Sequence, residues 1–164
     1  MNITHGKIPP ALVAFVGLLA SLVSSSAATS PLFQRRTDVR TTPIAGTLAG
    51  KTEDIDLSGL ARINATAFTD DDPGSPAGVF LLVDLQEVTG VGQQTGTRYL
   101  AHGQNQVLRE LQQVTVVELV FPVSPENASK TEATEAVLAT FQLTFDVAQG
   151  QLKDATASFS TPVF

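Results

Sequence analysis

The sequence predicts an all-β protein: an antiparallel β-sandwich of about seven to eight strands or, within the same class, a small β-barrel. Three observations lead there. From Ile44 onward, apolar residues recur mainly with a period of two. Turn sequences bearing Gly or Pro separate the alternating runs. Cysteine is absent, so a packed core rather than disulfides must hold the strands together.

The elements follow in chain order. In "TEDIDLSGLARINATAF", Ile55 and Leu57, then Ile63, Ala65 and Ala67, fall at alternate positions, as one buried face of a strand requires. "GVFLLVDLQEV" is apolar on both faces over residues 80–83 and becomes polar on one face at Asp84 and Gln86. "TRYLA" reads as a short strand, whereas Val107, Leu108 and Leu111 in "NQVLRELQQV" have helical spacing and suggest two helical turns. "VTVVELVFPV" is a nearly continuous apolar strand interrupted by Glu118. Residues 124–135 are expected to be mostly loop, with Ser129 and Glu132 at capping-box spacing.

The clearest alternation is "VLATFQLTFDV". Val137, Ala139, Phe141, Leu143, Phe145 and Val147 fall on one face, and Thr140, Gln142, Thr144 and Asp146 on the other. A turn at Gly150 leads to "KDATASFS", where Ala155, Ala157 and Phe159 oppose Thr156, Ser158 and Ser160. Two alternating runs around a short glycine loop form a hairpin.

The first residues carry an address rather than a fold. His5 and Lys7 precede an apolar run over residues 11–23, and Ser26-Ala27-Ala28 offers a small-residue processing site. That layout predicts a secretory signal over residues 1–28. A membrane anchor would need roughly 20 apolar residues, and this run is shorter and is preceded by Pro9-Pro10. Residues 29–43, with Arg35, Arg36 and Arg40, are expected to be a flexible segment, and residues 44–164 a single domain. The expected location is secreted or periplasmic.

Charge and composition exclude several functions. The formal net charge is -6, which gives no footing on a phosphate backbone, so nucleic acid is not an expected partner. One remaining histidine and no cysteine cannot build the usual zinc sites. There is no tryptophan and a single tyrosine, which argues against a sugar site built on aromatic stacking. A membrane-spanning barrel needs lipid-facing strands and aromatic girdles; the few aromatics fall mostly at expected core positions and Pro162 interrupts the last strand.

Asp70, Asp71 and Asp72 in "FTDDDPGSPAGV" are the candidate metal ligands, for calcium, which takes six to eight oxygens from carboxylates on irregular loops. They lack the alternate spacing and closing glutamate of the helix-loop-helix calcium motif, and Asp beside Pro-Gly is also ordinary turn chemistry. Glu53, Asp54 and Asp56 form a second acidic group that would share an ion if both loops lay at one end of the fold. No other cofactor is expected. His102 is the candidate general base, with no nucleophile-elbow motif to accompany it. Asp84, Glu118 and Asp146 each interrupt an apolar strand on its expected outer face, where carboxylates discourage edge pairing. Asn64 and Asn127 begin glycosylation sequons.

The function expected first is a non-enzymatic binding or structural module at or outside the cell surface, engaging an extracellular protein or glycan. The alternatives are a small exported hydrolase using His102 with a nearby carboxylate, and a β-barrel holding a small apolar ligand.

Overall fold

The computed structural model describes residues 34–69, 74–128 and 135–163. These form seven strands: β1 (Arg35–Ala49), β2 (Asp54–Phe68), β3 (Gly78–Gly92), β4 (Arg98–Glu110), β5 (Val114–Pro125), β6 (Glu135–Asp146) and β7 (Gln151–Ser160). Each strand pairs antiparallel with the next, and β7 returns to pair parallel with β1, so a single sheet closes into a barrel. The all-β class is as the sequence predicts. Of the two expected architectures the barrel is the one formed, because consecutive strands stay paired and the sheet never splits into two layers.

Two boundaries also differ from expectation. β1 begins at Arg35, within the segment expected to be flexible, and pairs with β2 all the way to Phe68. The helical spacing at residues 105–111 gives way to strand: β4 runs through to Glu110 in register with β3. Along β4, Val107 and Leu108 fall on opposite faces, Val107 against the core and Leu108 outward.

The inward side chains form one cluster, with Ile44, Ile63, Leu81, Phe121, Phe141 and Leu143 almost fully buried. An eight-stranded barrel is just wide enough for side chains to fill, and seven strands enclose less. The sequence accommodates this by placing Ala61, Ala65, Ala67, Ala139 and Ala155 among the inward positions, which leaves room for the phenylalanines. At one point β3 bulges: Leu85 pairs with Gly103 and Val88 with Ala101, so Gln86 and Glu87 both stand against His102. Glu87 takes a left-handed φ of 53° there. Gly59 of β2 lies under the bulge, where a Cβ would come within 2.6 Å of the Val88 Cα.

Two seams interrupt the ladder. The parallel β1–β7 pairing covers only Ile44–Ala157, Ala45–Ser158 and Gly46–Phe159. Beyond it, side chains bridge the strands: the Thr42 hydroxyl donates to the Ala155 carbonyl at 2.9 Å, and the Leu152 N–H donates to Asp38 Oδ2 at 3.0 Å. Arg40 also reaches Asp154 at 2.9 Å.

The second seam separates β4 from β5, which pair only at Tyr99–Pro125, Leu100–Ser124 and Ala101–Val123. The Glu126 N–H donates to the Arg98 carbonyl at 2.8 Å. In an antiparallel ladder the hydrogen-bonded pairs recur every second residue, so the next one needs an N–H at position 122 facing His102. Pro122 has none. Gly103 follows with φ 135°, and the strands part. Among the described residues the Asn105 side chain alone crosses, donating from Nδ2 to the Val120 carbonyl at 2.8 Å.

The alternation makes a sharp expectation. The even-numbered amides of residues 104–108 and 114–118 face the open seam, while the odd-numbered amides face β3 or β6. Residue-resolved hydrogen exchange should therefore show Gln104, Gln106, Val116 and Glu118 exchanging fast beside slow Val107, Val117 and Leu119. Uniform protection along β5 would mean that the seam is closed in solution.

Candidate functional site

The aspartates Asp70, Asp71 and Asp72 lie outside the described residues. Of the second acidic group, Glu53 precedes β2, and Asp54 and Asp56 stand at its start. Among the described residues no group of three or more His, Asp or Glu side chains is placed to hold a metal ion.

Glu53 is nonetheless the most tightly held acid of the barrel. Only 5% exposed, its carboxylate accepts hydrogen bonds from the Thr95 hydroxyl (2.6 Å), the Thr95 N–H (2.8 Å), the Gln94 N–H (2.9 Å) and the Tyr99 hydroxyl (3.2 Å). Gly92 permits this approach, since a Cβ there would lie 2.2 Å from Glu53 Oε1. The carboxylate thus clamps the β3–β4 turn to the start of β2. The bond from the Thr95 hydroxyl, then the one from the Thr95 N–H, hold the Glu53 carboxyl below its usual range despite its burial. Burial pushes the Tyr99 hydroxyl up, and the Glu53 carboxylate beside it adds to the shift. With four donors on its two oxygens, Glu53 is occupied by structure rather than free for proton transfer. The sequence identified it only as one of an acidic group.

His102 lies on the outer face of β4, exposed, with no hydrogen bond or ion pair to an acid among the described residues. Its register neighbours are the bulge residues Gln86 and Glu87. Asp84, Glu118 and Asp146 do lie on the outer face, on β3, β5 and β6, and no two of them are register neighbours. Asp146 is 3.9 Å from Lys153. Asn64 is half-buried on β2 and Asn127 is exposed just after β5.

What the sequence did not reveal is how uneven the outer surface is. On β6 and β7 the outward residues include Thr140, Gln142, Thr144, Thr156, Ser158 and Ser160. Around the β4–β5 seam they include Phe80, Leu108, Val114, Val116 and Val120, exposed by 37%, 58%, 47%, 56% and 44%, together with the polar Gln104, Gln106 and Glu118. Phe80 is the direct register neighbour of Leu108, and extending the Tyr99–Pro125 register down the seam sets Leu108 level with Val116. The inward side chains Val107 and Leu119, flanking the seam from below, are only partly buried. The open seam and the apolar residues therefore coincide. At one end of this face a groove of about 360 Å³ opens between Arg35, Thr66, Phe68 and Phe80.

No family model, no curated protein and no solved structure matches this chain.

Two outcomes follow from the buried polar groups. Because the Glu53 pKa is depressed, its stabilisation is in place above the ordinary carboxylate value of about 4.3. It is lost as the pH falls through the lower folded-state value. NMR should show the Gln94 and Thr95 amides released in that acid range, and Glu53→Gln should remove the transition; an unchanged transition would place it on another acid. The Thr115 hydroxyl is buried without a hydrogen-bond partner among the described residues. Thr115→Val should therefore raise unfolding stability by about 1 kcal/mol in denaturant titration, and a loss of stability would reveal a partner for the hydroxyl.

Proposed function

We propose that the protein is a non-catalytic binding module, acting at or outside the cell surface, that engages its partner through the outer face of β3, β4 and β5. The observation that carries this reading is the coincidence of exposed Phe80, Leu108, Val114, Val116 and Val120 with a stretch where, among the described residues, neighbouring antiparallel strands leave their backbone edges unpaired. The cluster of Phe80, Leu108, Val114 and Val116, on a protein whose opposite wall carries Thr, Ser and Gln, supports an interaction surface here. Unpaired strand edges add donors and acceptors that water or a partner must satisfy. A hydrolytic role would need His102 to engage an acid; it faces outward at the β3 bulge beside Glu87, with no hydrogen bond or ion pair to that residue among the described residues. The signal-like first residues support export.

A photo-cross-linking residue introduced at position 108, and separately at position 158 on the polar wall, tests the reading in the cells that make the protein. Adducts from position 108 and none from 158 are expected. Equal yields from the two walls would overturn the assignment of the binding face.

A further inference from the structure

We infer that the groove at the end of this face binds a small planar ring carrying an anionic group; the inference rests on the binding-face reading, to which it adds a ligand class. The volume of about 360 Å³ falls within the range of small-molecule sites, about 300–1,000 Å³. The groove exists because of a glycine. At Gly78 of β3 a Cβ would stand 2.4 Å from Cζ of Phe68, so the Phe68 ring leans across from β2 and takes the space a side chain would fill. Phe80, two residues further along β3 and 37% exposed, stands beside it. Two phenyl rings at one groove favour a flat apolar guest through dispersion and ring-edge contacts.

The charge comes from Arg35. It lies opposite Phe68 in the β1–β2 register and lines the groove. Arg36, Arg40 and Arg98 are all ion-paired, to Asp38, Asp154 and Glu126, whereas Arg35, like Arg62 and Arg109, has no ion pair among the described residues, and of these three it is the one that lines the groove. A guanidinium with its fork of donors unused is suited to a carboxylate or a similar planar anion. Thr66 Oγ1, also lining the groove, lies 3.0 Å from Thr37 Oγ1, so its hydroxyl is held in place where a polar edge of the guest would meet it. On a chain of net charge -6, an anion has little other reason to settle here, and the attraction should weaken with added salt.

Titration of the purified protein with 2-naphthoate, followed by NMR, tests the inference, with 2-naphthylmethanol as the neutral analogue of the same ring. Saturable shifts at Thr66, Phe68 and Phe80 are expected. Naphthoate should bind about fivefold more tightly than the alcohol, as one exposed ion pair allows. Arg35→Gln should erase that preference, and Phe80→Ala should weaken both ligands by about tenfold. Both substituted side chains are on the surface, and unchanged resonances of Phe121 and Phe141 would verify an intact core. Shifts centred on Leu108 and Val116, equal affinity for the two probes, or an Arg35→Gln variant that keeps the preference would each overturn the inference. If position 108 still yields adducts while naphthoate does not bind, the ligand class is wrong and the binding face stands.

Discussion

The parity of the strands governs this structure. In a meander each strand reverses the direction of the last, so a sheet of seven can close only by laying β7 parallel to β1. Parallel neighbours have slanted and somewhat weaker ladders, and here that ladder covers three residues on each strand. The rest of the join depends on Thr42, Asp38 and Arg40, whose side chains do what backbone groups do elsewhere in the wall. Loss of the Thr42 hydroxyl would leave the buried Ala155 carbonyl without that donor, a larger disturbance than an exposed threonine could cause.

The second join has a different cause. β4 and β5 are antiparallel and in register, so nothing in the topology prevents their pairing. A single missing N–H at Pro122, reinforced by the left-handed turn of the backbone at Gly103, ends the ladder after three pairs. Proline inside a sheet is otherwise confined to edges and bulges, and Pro122 makes an edge of what would have been the middle of the wall. Leu108, Val114, Val116 and Val120 are exposed near this edge, while Val39, Leu60, Val91 and Val147 are exposed elsewhere on the barrel. The clamp at Glu53, by contrast, closes the opposite end of β4 firmly through Thr95 and Tyr99. One strand is therefore paired on both sides at its start and, along its second half, on its β3 side alone.

Much of this was legible in the residues and part was not. The β6–β7 hairpin and the buried face of β2 could be read directly, because alternation reports which side of a strand is covered. Alternation does not report whether a sheet folds over a second sheet or rolls up to meet its own first strand, since both bury one face. That is why alternation leads first to a sandwich, with the barrel as the alternative, and the pairing of β1 with β7 decides for the barrel. At residues 105–111 the reading failed for a related reason. Leu108 is an apolar residue on an otherwise mostly polar outward face, so it stands next to inward Val107 in the sequence, and adjacent hydrophobic residues imitate a helix. The role of Glu53 was hidden because its partners, Thr95 and Tyr99, lie some forty positions away; the glycine at 92 that makes room for it looked like any turn residue.

The parallel closure also fixes how the barrel can be tethered. β1 enters at the rim where β2 ends, and β7 leaves at the opposite rim, beside the turn between β1 and β2. Chain arriving at Arg35 and chain departing after Ser160 therefore lie at opposite ends of the cylinder, as the two ends of a bead lie on its string. A load carried by the chain would pass lengthwise through the wall and fall on the β1–β7 join as shear. Parallel strands pulled from opposite ends share such a load over all their bonds at once, so a join that is short in backbone pairs gains from every side-chain bridge set along it.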